Sequence, residues 1–514
     1  MKKIIYTLIL SSLIATSCVK LEEDSRSQIS SGDFYKTQSD AVSAVQSAYY
    51  NLTHNNSGDH ASIYNRLLVL AVGMMTDDHI PGPRATNPDV RSIAALTQTS
   101  TNTRYFELWR QHYEAINRAN AAIDRLPAIT SGDTAVINRL VLEAKFLRGL
   151  YYYNLVRLWG DVPLIIHETS SLQDLSVART PKEQVYAQII KDFTDATRLP
   201  KRYTGTDAFR ATSGAAHALL LSVAITRQNW AEALSQYNTI QTGGYGYKLF
   251  DSYADNFVTS KENTEEHIFD AYTIADGSTT LNGTGNTSIL SYISAPVSSF
   301  AVGQSYGGDA DAPIVTLRPL FKSYDKRTKV TFNDSILAST GSTKKVYSPH
   351  FYKYWDPAAA TNLANNGVNI PIIRYAEVVL FYAEAQNELN GPGDPSDAAS
   401  AYTAINKIRN RAGLLNLTAG LTKDQFRDSL FRERKLEFVY EQIRWFDLIR
   451  TNGSGKALLV PTLQALKDPA KGGNATDTWT VAKATNVSDK FLLLPVPASE
   501  ISANPKLLPQ NPNW

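Results

Sequence analysis

Apolar residues recur along most of this chain at three- and four-residue intervals, in runs that follow one another across short polar breaks. Asp40–Leu52 places Ala41, Val42, Val45, Ala48 and Tyr49 at helical spacing, with Asp40 as the expected N-cap. Tyr105–Leu126 and Ile137–Trp159 form an expected hairpin, divided by Pro127 and the Thr130-Ser131-Gly132-Asp133 break. The second helix should stop at Gly160, with Val162-Pro163-Leu164 extended beyond it. Pro181–Leu199 reads as a further helix. Ser213–Gln228 and Trp230–Gln241 make a pair joined at Asn229, in which Gly214, Ala215, Ala216, Ala218, Ala231 and Ala233 permit close approach. Small and bulky residues alternate in the style of tetratricopeptide repeats (TPR), without a clean period of about 34 residues. Ile373–Leu389 and Pro395–Ala412 flank Asn390-Gly391-Pro392-Gly393, and Lys423–Arg450 reads as one long amphipathic helix or two in line. The expected class is mainly α, a TPR-like scaffold of helical pairs.

Between 242 and 370 the helical period fades into short strands and loops rich in Gly, Ser, Thr and Asn. Ser278–Gly308 contains no Asp, Glu, Lys, Arg or His, where an average stretch of this chain would hold about six. So long a segment is expected to be functional or a small subdomain rather than idle loop. The Pro-rich tail, 490–514, should wrap back over the helices in extended form.

The N-terminus has a different plan. Lys2 and Lys3 precede an apolar run, Ile4–Ala15, and then Thr16, Ser17 and Cys18. Charged start, short apolar stretch and small residues make a secretory signal, too short to span a bilayer, which takes about 20 apolar residues. Ala15-Thr16-Ser17-Cys18 resembles the lipobox of bacterial lipoproteins, in which the cysteine is acylated and becomes the first mature residue. A plain signal peptide would instead leave an unpaired thiol in an exported protein. Residues 1–17 are thus expected to be removed, and 18–30 to form a lipidated tether. Its Lys20-Leu21-Glu22-Glu23-Asp24 is similar to the acidic signal of Bacteroidota surface lipoproteins.

Composition narrows the function. The chain's one cysteine excludes an intramolecular disulfide and a cysteine-rich zinc site. Lys+Arg 51 against Asp+Glu 49 is too balanced for a nucleic-acid binder that relies on phosphate neutralisation. Removal of 1–17 takes away Lys2 and Lys3 and leaves 49 against 49.

A family resemblance runs through the chain in order. Ser31-Gly32-Asp33-Phe34-Tyr35 opens it. Glu143–Gly149 (EAKFLRG) with Leu158–Leu164 (LWGDVPL) follows, then Arg374–Val378 (RYAEV) through Glu384-Ala385, and Asn406–Gly413 (NKIRNRAG). Arg432–Phe438 (RERKLEF) with Arg444–Arg450 (RWFDLIR) is the most specific block, and Leu494-Pro495-Val496-Pro497 to Gln510-Asn511-Pro512 closes the chain. Together these resemble the SusD/RagB family of outer-membrane lipoproteins. Two departures are Gln442, where the family usually has Gly, and Leu508-Pro509, which lengthens the spacing before Gln510. The resemblance implies one SusD-like domain over 31–514, with helical scaffold at 31–241 and 371–460, a loop-rich ligand-facing region at 242–370 and the 490–514 wrap. It implies an outer-membrane protein, anchored by lipid and facing the cell exterior. Such proteins capture an oligosaccharide, or in the RagB branch a peptide, and present it to a SusC-like TonB-dependent transporter. They are not enzymes and need no cofactor.

Local motifs give a hydrolase no support. Glu377 and Glu384 lie two turns apart on one helix, whereas a glycosidase sets two carboxylates across a bond. Gly303-Gln304-Ser305-Tyr306-Gly307 spells a nucleophile elbow but is followed by loop composition. No histidines fall as H-E-x-x-H, and Asn282–Asn286 lacks the Lys-Ser/Thr of a P-loop. Arg434 with Glu437, and Glu441 with Arg444, are spaced to pair locally on a helix face, while Trp445 and Phe446 should anchor it in the core.

Two surfaces are candidates for ligand. Asn282, Asn286, Tyr292, Phe300, Gln304 and Tyr306, in and around the uncharged stretch, offer hydroxyl, amide and ring chemistry suited to sugars. The Ala71–Glu107 loop offers Asp77, Asp78, Arg84, Asn87, Arg91 and Asn102. In starch-binding relatives this neighbourhood supplies an aromatic platform; here it holds no Trp, and no Tyr before Tyr105. Its charged residues suit an acidic or hydrogen-bond-read glycan, or a peptide.

Overall fold

The computed structural model describes residues 34–54, 61–171, 175–275, 287–295, 308–337, 344–355 and 366–514. The signal, Cys18 and the tether lie outside them. The helices begin with α1 (Gln38–Thr53), then a π-helical stretch Ile63–Val72, α2 (Pro88–Ala94), α3 (Thr103–Arg125), α4 (Thr134–Trp159), α5 (Lys182–Ala196), α6 (Ser213–Thr226) and α7 (Trp230–Thr242). After α8 (Leu290–Ser294) and α9 (Thr328–Thr331) come α10 (Tyr375–Asn390), α11 (Ala401–Arg411), α12 (Lys423–Glu437), α13 (Arg444–Ile449), α14 (Leu459–Ala465), α15 (Thr478–Asn486) and α16 (Ala498–Ala503). The strands are β1 (His79–Pro81), β2 (His267–Ala271), β3 (Asp311–Pro313), β4 (Phe332–Leu337), β5 (Lys344–Phe351) and β6 (Ile370–Arg374). They form antiparallel pairs β1–β3, β2–β6 and β4–β5. The molecule is mainly α, as expected.

Successive helices pack on one another, α3 on α4, α4 on α5, α6 on α7 and α10 on α11. A connected apolar core runs from Ala41 in α1 to Leu507 near the C-terminus. Trp109 and Trp159 meet edge to face across α3 and α4, with ring centres 5.3 Å apart. At Gly149 a side chain is missing where Phe193 of α5 comes in: a Cβ there would sit 3.0 Å from the Phe193 ring. Gly160 ends α4 at φ 72°, the left-handed region that glycine enters without strain. The C-terminal segment lies along this corner. Leu494 N–H donates to the Leu158 carbonyl at 2.7 Å, the Trp159 indole donates to Pro495 O, and Asn511 donates to Trp159 O.

Two local expectations are corrected, and the choice between one helix and two over 423–450 is decided for two. Asp40 is not the N-cap of α1. Thr37 takes that place, its extended backbone and hydroxyl receiving Asp40 N–H, while the Asp40 carboxylate reaches back to Thr37 N–H at 2.8 Å. Ile373 and Arg374 end strand β6 rather than begin a helix. The Lys423–Arg450 run breaks at 438–443, where Tyr440 (φ 66°) and Gln442 (φ 64°) are left-handed. The second of these is the position where the family usually has Gly; Gln442 tolerates it while its amide donates to Tyr64 O at 2.6 Å.

The charged residues of this block also pair differently from the local expectation. Arg434 binds Glu377 and Asp447; Glu437 binds Arg327, Arg374 and Arg411; Glu441 binds Lys353 and Arg374; Arg444 binds Asp77. Their face of the chain is buried, so each ion takes a partner from another packed element instead of a neighbour three residues away. Arg374 is fully buried among Glu266, Glu437 and Glu441. Glu377 is held by Arg434 and Glu384 by Arg450, which ties both carboxylates into the scaffold. Trp445 is buried, and Phe446 covers the Arg157 guanidinium at 3.7 Å.

Candidate functional site

The segment that carries Arg84 and the described residues just after 307, more than 200 residues apart in the sequence, meet at the β1–β3 pair, in which Ile80 faces Ala312 and Pro81 faces Asp311. Beyond the pair, Gly82 N–H donates to Ala310 O at 3.2 Å and Arg84 N–H to Asp309 O at 3.1 Å. Glycine is required at 82, since a Cβ would lie 2.2 Å from the Asp309 carbonyl oxygen. Gly308 lies under the Tyr292 ring, its own virtual Cβ 2.6 Å from that ring, and its N–H donates to Tyr292 O. Asp309 N–H donates to Ala295 O at 2.9 Å, so the described residues on either side of 296–307 are joined.

Helix α2 sits beside this junction. Asn87 caps it, its side-chain oxygen receiving Asp89 and Val90 N–H. The Asp89 carboxylate in turn receives Thr103 N–H at the start of α3, and buried Asn102 donates to Asp89 O, which welds α2 to α3. Arg91 projects from α2, donating to Ala85 O at 3.4 Å, and its guanidinium lies 5.0 Å from the centre of the Trp479 ring. Helix α15 brings Trp479 there. Its buried Lys483 donates to Met74 and Thr76 carbonyls, and Asn486 donates to Ala95 O.

The result is a strip linked from Tyr292 to Gly308, through the Asp309 backbone to Arg84, and through the Ala85 backbone to Arg91 and Trp479. Arg84, Asn87 and Arg91 are exposed, and Tyr292 and Trp479 are half-buried. Trp479 is the residue that sequence reasoning missed. The loop itself lacks tryptophan, and the ring arrives from a helix nearly 400 residues away with no local signal to mark it.

Not every predicted residue is at the surface. Asp78 is buried, and so is Asp77. Asp77 receives two hydrogen bonds from Arg444 and one from Lys435. Burial pushes its carboxyl up, but Arg444 and Lys435 outweigh burial and hold it well below the usual range. Burial raises Asp78, with Lys435 opposing at 3.4 Å. Both turn inward because the start of the expected Ala71–Glu107 loop, residues 71–78, is buried core rather than surface. Asp311 is pushed up by burial while His79 bonds it at 2.9 Å, and His350 bonds Asp309 at 3.1 Å. Burial lowers Lys483 to about 7, against the pull of Asp77, Asp78 and Asp311. Asn282, Asn286, Phe300, Gln304 and Tyr306 lie outside the described residues. No cluster of three His, Cys, Asp or Glu residues fit to hold a metal occurs among the described residues.

A separate groove of about 690 Å³ lies between α3, the 163–177 connection and α16, lined by Trp109, Tyr113, Asn117, Leu175, Glu500 and Asn504.

Sequence profiles of known families match both halves of the chain. The profile described as "SusD family" matches residues 224–514. The chain belongs to the SusD family. A second profile, "Starch-binding associating with outer membrane", matches residues 73–225. SusD-like protein P2 of Formosa agariphila is 27% identical, with all of both chains aligned. Among solved structures, a SusD superfamily protein from Parabacteroides distasonis superposes with a TM-score of 0.75 at 24% identity, over 93% of this chain and 99% of that one. Surface glycan-binding protein A from Bacteroides thetaiotaomicron, in complex with laminarihexaose, superposes at 0.73 with 21% identity, over 93% of this SusD-family chain and all of its own. The SusD resemblance read from the sequence is thereby established, and with it the helical scaffold. No described helix is long and apolar enough to cross a membrane.

Proposed function

We propose that this protein binds a nutrient oligosaccharide at the cell surface through the Tyr292–Trp479 strip. In this reading it passes the ligand to a SusC-like TonB-dependent transporter and is held on the outer membrane, facing outward, by acylated Cys18. The observation that carries it is the strip itself: a ring at each end, hydrogen-bonding and guanidinium groups between, on a SusD scaffold. Rings offer flat apolar faces to sugar C–H groups, and the amide and guanidinium donors meet hydroxyls. The laminarihexaose complex of a structural relative and the outer-membrane wording of the second profile support the same reading. Family members of this kind bind rather than hydrolyse, and Glu377 and Glu384 are engaged by arginines rather than set across a cleft.

The test is calorimetric titration of the purified protein with a panel of polysaccharides and with peptide digests. Binding to one or more polysaccharides is the expected result. Binding to peptides alone would place the protein with the RagB branch, and turnover of any glycan would make it a hydrolase.

A further inference from the structure

We propose that the strip selects an anionic glycan, one bearing carboxylate or sulfate groups, and that Arg84 and Arg91 are the residues that read them. This rests on the glycan-binding reading above and narrows it.

Charge around the strip is sorted by depth. The acidic residues beneath it turn inward: Asp77 is paired with Arg444 and Lys435, Asp78 lies 3.4 Å from Lys435, and Asp309 and Asp311 are hydrogen-bonded to His350 and His79. Asp89 is spent on the start of α3. Among the charged residues of the 82–91 segment, Arg84 and Arg91 are exposed and Asp89 is half-buried. Among the described residues, neither Arg84 nor Arg91 has a carboxylate within ion-pair distance, and both are exposed. Some other solvent-reaching arginines do have one, as Arg118 with Glu114, Arg125 with Glu168 and Arg227 with Glu183, while exposed Arg202 and Arg432 share the unpaired state among the described residues.

The Arg91 guanidinium lies against the backbone next to Arg84, since it donates to the carbonyl of Ala85. Arg91 is also partly immobilised by that bond and by the Trp479 ring, so less freedom is lost when it binds. A planar guanidinium presents paired N–H groups that match two oxygens of a carboxylate or a sulfate, which a neutral hydroxyl does not reproduce. The chain as a whole carries only +2, so affinity for such a polymer would belong to the strip rather than to overall charge.

The experiment has two steps. The full-length protein is first applied to an array of neutral, uronate-bearing and sulfated oligosaccharides. The leading hit is then titrated beside its carboxyl-reduced or desulfated form, using wild type, Arg84→Gln and Arg91→Gln. Thermal unfolding confirms that the variants fold, as expected for substitutions at exposed positions.

Hits among the anionic glycans are expected, with at least about tenfold loss on removing the anionic group. A similar loss is expected in each variant for the anionic form only. The uronate and sulfate arms tell which group is read. Hits confined to neutral glycans, or anionic binding that neither variant weakens, would overturn the anionic claim and leave the glycan reading standing. Binding to no glycan would overturn both.

Discussion

Arg91 and Trp479 touch across two helices that are nearly 400 residues apart in sequence, the guanidinium 5.0 Å from the ring centre. The contact depends on Lys483 and Asn486, which pin α15 to the 74–95 region by its far end. It supplies the tryptophan that the Ala71–Glu107 segment lacks, and gives the strip its second ring.

Removing that ring should cost binding rather than folding. Trp479→Ala is expected to weaken glycan affinity about tenfold, by analogy with aromatic stacking on flat ligands. The lost cation–π contact at a half-exposed site is worth about 0.5–1 kcal/mol of stability, and the loss of the ring's packing against the core adds to it. Calorimetry with thermal unfolding of the same sample reads both. Tyr292→Ala, Phe300→Ala and Tyr306→Ala are expected to act in the same direction, and Leu175→Ser, in the separate groove, is expected to leave affinity unchanged.

Gly82→Ala tests the junction beneath the strip. The added Cβ would meet the Asp309 backbone oxygen at 2.2 Å, and a carbonyl cannot rotate aside as a side chain can. The 82–84 and 308–310 segments must separate, at about 1–3 kcal/mol by the usual cost of overpacking. Lower chemical-denaturation stability together with weaker glycan binding is expected; a stable variant with normal binding would show that the junction is dispensable.

Arg374→Met tests the scaffold. It leaves Glu266, Glu437 and Glu441 buried with one cation fewer. Breaking a buried ion pair from one side costs about 3–5 kcal/mol, whereas an exposed pair such as Arg198–Asp195 is worth less than about 1 kcal/mol. Denaturant unfolding of Arg374→Met and Arg198→Ala should show that contrast.

Acid should unfold the protein through the same networks. Burial pushes the carboxyls of Glu437 and Asp77 up, but the arginines and lysine around them win and hold both below their ordinary values. A carboxylate depressed in the folded state binds fewer protons there than when unfolded. Its contribution is therefore present above the unfolded value, near 4, and is lost as pH falls toward the folded one. Unfolding temperature should drop steeply below pH 4. A flat profile from pH 6 to 3 would contradict the assignment.

Lys483 acts on the alkaline side with the opposite balance. Burial lowers it to about 7, so between about 7 and 10 the unfolded chain holds a proton that the folded chain has released. Stability from this group rises with pH across that window. The stability gap between wild type and Lys483→Met, measured by denaturant, should widen from pH 7 to 9.

The helical scaffold was legible because burial of one helix face leaves a three- and four-residue apolar period, and Gly160 marked the end of α4 through its left-handed backbone. Electrostatic detail was not. Arg434 and Glu437 have the spacing of a surface pair, yet on a buried face each is claimed by a different element. Asp77 and Asp78 read as loop residues because charge normally marks surface, and nothing local announced the buried Arg444 and half-buried Lys435 opposite. Arg84, Asn87 and Arg91 were readable as polar groups in one segment. Their partners Tyr292, Gly308 and Trp479 are joined to them by tertiary packing alone.

The central claim is that a glycan binds at the strip, and a single calorimetric comparison tests it most directly. Wild type and the double variant Tyr292→Ala/Trp479→Ala are titrated with the polysaccharide that wild type binds. A loss of at least about tenfold is expected in the double variant, with its fold intact. Equal affinity in the two proteins would contradict it.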